Sequence, residues 1–315
     1  MAVIFEKPKA LADVPTHYCP GCSHGIVHRI IAEVIDELGI EGKTVGVAPV
    51  GCAVMNYDYF NCDMIQAPHG RAPAVATGLK RAVPENVIFT YQGDGDLIAI
   101  GTAETVHSAT RGENITVIFI NNAIYGMTGG QMAPTSLPNQ VTQTTPYGRD
   151  VQTAGYPVRV CELLSTLDGV ALAQRTTVDC VKNVNLTKRA IKKGFQNQID
   201  KKGFSIIEIV SVCPTNWGMS PVDSLKWLQE NMIPYYPLGV YKDGEKGDRL
   251  KWWKIIIWYL QVLVVKEYYL QVKLWHTVDL WKKKKFRGYH HMDQRCVVVQ
   301  QIAVFALAKH QSAHR

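Results

Sequence analysis

Gly93-Asp94-Gly95-Asp96 and, further along, Asn121-Asn122 are the residues of this 315-residue chain best suited to chemistry. The first group follows the apolar run 87–91, and the second ends the apolar run 115–120. If both runs are neighbouring parallel strands, an Asp and an Asn stand side by side at their carboxyl ends, where open α/β sheets bind ligands. A carboxylate, an amide oxygen and a backbone carbonyl suit Mg²⁺, which takes octahedral oxygen ligation and bridges diphosphate oxygens. The glycines let the backbone approach phosphate, and the helix that follows can aim its N-terminus there. A Gly-rich turn beside an unrelated Asn turn is the competing reading.

Cysteine is the second chemical resource. Cys19-Pro20-Gly21-Cys22, beside His24, is a zinc knuckle, a redox pair or a turn. Cys52 and Cys213 lie in comparable Gly/Pro contexts. Four thiolates suit a [4Fe–4S] cluster, but structural zinc also takes four, and spacing does not separate the two. Cys62, Cys161 and Cys180 read as packing residues.

The elements that must position these groups alternate. Helix-like patterns cover 26–38, 72–81, 102–110 and 183–199, the last with a solvated Lys/Arg face. Strand-like runs cover 44–49, 87–91, 115–120 and 204–210. This alternation predicts a doubly wound α/β domain with a mostly parallel sheet. The stretch 126–156, rich in Gly, Pro, Thr and Gln, is long for a plain loop, and such loops are often functional.

The Asp94–Asn122 pattern resembles the thiamine-diphosphate fingerprint. The segments YCPGCSHG, GVAPVGCAV, PHGRAPAVATGLK, YQGDGDLIAIG, INNAIYGMTGGQMAPTS and VCPTNWGMSP together resemble the β subunit of 2-oxoacid:ferredoxin oxidoreductases, from about residue 4 to 246. The resemblance implies the thiamine-diphosphate-binding fold and coenzyme-A-dependent oxidative decarboxylation of a 2-oxoacid, with ferredoxin taking the electrons. By the same resemblance, Asp94, Asn122 and the backbone oxygen of Ile124 hold Mg²⁺. Gly51, Gly93, Gly95, Asp96, Thr128, Gly129 and Gln131 lie against the cofactor. Cys19, Cys22, Cys52 and Cys213 carry the [4Fe–4S] cluster. His69 and Arg71 match a stretch close to the reacting atoms, although His69 reads equally well as a cap for the helix after it. The glutamate that activates thiamine is expected on a pyrimidine-binding α subunit. A γ subunit and a ferredoxin-like δ subunit are further partners. The substrates implied are 2-oxoglutarate or branched-chain 2-oxoacids, with pyruvate behind. A non-oxidative thiamine decarboxylase with zinc at the cysteines, or a zinc-stabilised scaffold, are the alternatives.

Composition bounds these readings. Hydrophobic residues make up 47% of the chain, enough for a sizeable core. No apolar run is long enough to span a membrane. The segment 1–15 lacks a charged start followed by an apolar core, so no secretory signal is expected, and a cytoplasmic setting follows. The net charge of +7 is uneven: residues 251–315 hold 12 Lys and Arg against 3 Asp and Glu. That region also holds five of the seven tryptophans and one glycine, Gly288. Residues 247–315 do not resemble the β subunit. Shifted by a frame, the codons permitted by 258–269 and 286–305 read as strings resembling the family's γ subunit, and 251–253 can hide its start codon. The expectation is therefore a body at 1–246 and an out-of-frame tail at 247–315 with no selected fold. A basic aromatic module for membrane or nucleic acid is the rival; neither partner is expected.

Overall fold

A computed structural model describes residues 6–244. The expectations for the tail at 247–315 lie outside these residues. Seven strands form one sheet: β1 (Thr44–Ala48), β2 (Asp63–Gln66), β3 (Val87–Gly93), β4 (Thr116–Asn121), β5 (Val170–Thr177), β6 (Phe204–Val210) and β7 (Gly239–Asp243). Their order is β2-β1-β3-β4-β6-β5-β7. All neighbours pair in parallel except β7, which runs antiparallel to β5. The doubly wound, mostly parallel sheet expected from the alternation is what forms.

Sequence explains the layering. β4 (TVIFIN) and β6 (FSIIEIV) are buried at every position, as strands covered on both faces must be. Their apolar residues divide by period two. Phe89, Tyr91, Ile118, Ile120, Ile207 and Ile209 pack under α1 (His24–Leu38) and the long Val181–Ile199 helix. Ile88, Val117, Phe119 and Ile206 pack on the other side with α2 (Ala72–Ala82) and α3 (Thr102–Arg111). The edge strands β2 and β7 are largely exposed and carry polar residues, which discourages further pairing. The strand β5 is missed by the sequence reading, because VALAQRTT carries Gln174 and Arg175 where apolar residues would be expected. Arg175 is fully buried there and pairs with Glu208 on β6 at 3.0 Å and with Glu162.

Because β3 crosses back past β1, the order reverses between these two strands and opens a crevice at their carboxyl ends. The loops after β1, β2, β3, β4 and β6 all emerge at this end. They carry Cys52, His69, Asp94, Asn122 and Cys213 respectively.

Candidate cofactor and cysteine site

Asp94 leaves β3 as the N-cap of a π-helical turn, Gly95–Ile100, that precedes α3. A one-turn irregularity of this kind is frequent at functional sites. Its carboxylate is 4% exposed. It accepts hydrogen bonds from Gly95 N at 3.0 Å, Ile124 N at 3.2 Å and the Thr135 hydroxyl at 2.9 Å. Burial pushes its pKa up to about 7, against the downward pull of those donors. No basic side chain bonds to it among the described residues.

Asn122 and Ile124 reach Asp94 from the turn after β4. Ala123, between them, is held at φ 57°, a left-handed conformation rare for a residue with a side chain. Asn121 fixes this turn: its amide donates to the buried Glu208 at 2.8 Å and its oxygen accepts from Ala123 N at 3.3 Å. One terminal atom of the Asn122 amide then lies 2.7 Å from Ile124 O and 3.1 Å from Asp94 Oδ2. Placed as oxygen, it lies against two further oxygens, Ile124 O and the carboxylate of Asp94. Turned over, the amide nitrogen donates to both instead. The donor set fits a hard divalent cation.

Asp94 and Asn122, but not Ile124, line a cavity of about 230 Å³ with Gly51, Cys52, His69, Gly93, Gly95, Asp96 and Thr128. Asp96 is buried beneath it as a tie. Its oxygens accept from Val50 N, Gly70 N, His69 Nδ1 at 2.7 Å and Gln92 Nε2 at 2.6 Å, joining the loops after β1 and β2 to β3. His69 thereby has its Nδ1 committed and its ring at the cavity. Arg71 is not brought there: from the start of α2 it pairs with Glu104 in the first turn of α3. Gly129 and Gln131 are also set back. Gly129 takes φ 104°, and Gln131 exchanges hydrogen bonds with Thr128, which shapes the loop rather than the cavity lining.

Cys19, Cys22, Cys52 and Cys213 ring a second cavity of about 70 Å³, with no Asp, Glu, Lys or Arg in its lining. Gly21 makes the Cys-x-x-Cys turn at φ 79°, where a Cβ would strike Pro221 at 2.6 Å. Ser23 Oγ accepts from Val212 N at 3.4 Å, tying this turn to the loop that carries Cys213. A Cβ on Gly126 would stand 3.1 Å from Cys52 Sγ and 3.5 Å from Cys213 Sγ, so only glycine leaves the cavity open. Burial pushes the Cys22 thiol up to about 11 and the Cys52 thiol up to about 12, and raises Cys213. Among the described residues no three His, Cys, Asp or Glu close on a single ion position. Cys161 is buried and Cys62 partly so, as packing residues should be, but Cys180 is exposed beside the Val181–Ile199 helix.

The two cavities are neighbours: His24, Cys52, Asn122 and Gly126 line both. Sequence reading noted His24 only as a neighbour of Cys22. It passed over Thr135, Asn216 and Trp217, which bond to Asp94, Gly126 O and Asn122 O respectively. No spacing rule would have found these three, since each is joined to the site by tertiary folding alone.

Residues 49–209 match the family described as thiamine pyrophosphate enzyme, C-terminal TPP binding domain. The ketoisovalerate oxidoreductase subunit VorA of Methanothermobacter thermautotrophicus is 47% identical over 240 residues, which are 76% of this chain and 50% of that protein. The chain belongs to the thiamine-diphosphate-binding subunits of the 2-oxoacid oxidoreductase family. The 2-oxoglutarate synthase subunit KorB of Methanocaldococcus jannaschii is 39% identical over 231 residues, covering 70% of this chain and 79% of that protein. A solved 2-oxoglutarate:ferredoxin oxidoreductase from Magnetococcus marinus, with 2-oxoglutarate, coenzyme A and succinyl-CoA bound, superposes with a TM-score of 0.64 at 25% identity. That match covers 80% of this chain and 91% of the other. The chain spans about half the length of VorA. Among the described residues no helix is long and apolar enough to cross a membrane.

Proposed function

We propose that residues 1–246 are the thiamine-diphosphate-binding β subunit of a cytoplasmic 2-oxoacid:ferredoxin oxidoreductase. The reaction is coenzyme-A-dependent oxidative decarboxylation of a 2-oxoacid. The higher identity to a ketoisovalerate enzyme than to 2-oxoglutarate synthases favours a branched-chain substrate. The observation that carries this reading is the shared boundary of the two cavities: the one lined by Asp94 and the one ringed by four cysteines meet at His24, Cys52, Asn122 and Gly126.

In this reading Asp94, Asn122 and Ile124 O hold Mg²⁺, and Gly93 and Gly95 let the diphosphate approach. Thiamine diphosphate, when bound, would supply the electron sink for decarboxylation, and Cys19, Cys22, Cys52 and Cys213 would hold a [4Fe–4S] cluster suited to one-electron transfer toward ferredoxin. Four thiols around one small cavity beside the thiamine site are placed to collect electrons leaving that cofactor, which is what favours a cluster over structural zinc. His69, oriented by Asp96, presents Nε2 to the cavity and can hold a proton against the substrate. Arg71 serves through Glu104 as an anchor for α2. The α subunit brings the activating glutamate and closes the cavity at its mouth, where Ile100 and Met127 stand exposed. The γ and δ subunits complete the assembly.

The test is anaerobic co-expression of the chain, whole and as residues 1–246, with its α and γ subunits. Viologen reduction is then assayed across a panel of 2-oxoacids. Coenzyme-A-dependent reduction that disappears in Cys52→Ala, with thiamine binding retained, is the expected result. Carbon dioxide release without dye reduction would instead favour the non-oxidative, zinc-containing reading.

A further inference from the structure

His24 is the first residue of α1 and stands on the boundary between the two cavities, 3% exposed. Two contacts immobilise its ring, and a third holds its backbone. Its Nδ1 lies 2.7 Å from the Tyr91 hydroxyl on β3. The ring of Tyr18, itself part of the cysteine cavity's lining, stacks on it at 4.5 Å and 17°. His28 Nδ1 lies 2.8 Å from its backbone oxygen. Among the described residues Nε2 has no protein partner.

The protonation of the ring follows from Tyr91. That hydroxyl is fully buried, and its single hydrogen bond among the described residues is to His24 Nδ1. A buried phenol that donates to nothing is costly. Nδ1 is therefore the acceptor, and the neutral ring carries its proton on Nε2. Among the described residues no carboxylate bonds to the ring to stabilise an imidazolium. The N–H left without a protein partner among the described residues thus belongs to a residue that lines both cavities together with Cys52.

Resting on the cluster reading above, we propose that His24 is a positioning residue that donates a hydrogen bond from Nε2 to a sulfur of the group held by the four cysteines, and that Tyr91 sets the tautomer that makes it a donor. Hydrogen bonds to cluster sulfurs are among the factors that set the reduction potential. An N–H donor stabilises the charge added on one-electron reduction and so raises the potential. His24 lines both cavities, so the cluster would be a better acceptor for electrons that arise in the neighbouring thiamine cavity.

The experiment is an EPR-monitored redox titration of the anaerobically assembled complex, with iron and acid-labile sulfide measured in parallel. His24→Leu removes the donor, and a tenfold loss in the equilibrium constant for reduction is expected, about 59 mV downward for one electron. His24→Gln, which keeps an N–H, restores most of the shift. Tyr91→Phe preserves the packing of β3 and still lowers the potential, so the proposal stays open to refutation if His24→Leu does not fold. A cluster present at wild-type occupancy with an unchanged potential in His24→Leu and Tyr91→Phe would overturn the role of His24 while leaving the cluster reading intact. So would a loss confined to thiamine-diphosphate affinity. Absence of iron and sulfide from the wild-type complex would overturn the cluster reading and this role with it.

Discussion

Asp94 is a carboxylate whose partners all point the wrong way for neutrality: two amides and a hydroxyl stabilise its charge, while among the described residues no cation answers it. A bound Mg²⁺ would supply that charge, so Asp94→Asn should abolish Mg²⁺-dependent binding of thiamine diphosphate in an equilibrium titration. Thr135→Val tests the support behind it. Losing the 2.9 Å hydroxyl contact should weaken Mg²⁺ affinity by about 10–100-fold without changing the fold, since Thr135 is fully buried and Val is close in shape. The Asp and Asn of this site were legible from their position after apolar strands. Thr135 was not, because the link between residues 94 and 135 exists only after the intervening chain has folded back.

Element by element, the segment 126–156 shows how a long loop acquires one shape. Arg149, 3% exposed, donates to the carbonyls of Ala133, Pro134, Ser136, Ala154 and Gly155. Tyr236 secures the same loop through Thr135 O at 2.7 Å. These bonds replace the regular backbone ladder that the loop lacks and keep buried carbonyls satisfied. Arg149→Met should therefore cost about 1.5–3 kcal/mol in denaturant unfolding and open 126–156 to limited proteolysis. Wild-type protease resistance in that variant would refute the role. The strands β3, β4 and β6 were legible because burial on both faces makes them mostly apolar and β-branched or aromatic. β5 was not, because Arg175 is buried through its pairing with Glu208, a partner set by the sheet's strand order.

At the scale of the molecule, folding stability depends on keeping buried imidazoles neutral. His28 is 1% exposed, stacks on Phe60 at 4.9 Å, and has its pKa pushed down to about 4, chiefly by burial. An unfolded histidine titrates near 6.5. Between these values the unfolded chain binds the extra proton, so the contribution is complete above pH 6.5 and is lost as pH falls toward 4. Denaturation should show a decline of about 1.4 kcal/mol per pH unit from this group across that window. His28→Leu should flatten the slope; an unaltered slope would show that other groups govern the acid limb.

The sequence alone determined the doubly wound domain, the strand ends that carry Asp94 and Asn122, and the four cysteines, because each is written in local pattern: apolar period, Gly punctuation and residue type. Tertiary structure alone decided which groups face one another. It turned Arg71 onto Glu104, buried Asp96 as a tie for His69, and set His24 between two cavities that share Cys52 and Asn122. The physical reason is strand order. Reversal between β1 and β3 gathers loops distant in sequence at one end of the sheet, and hydrogen bonds across that crevice select the facing atoms.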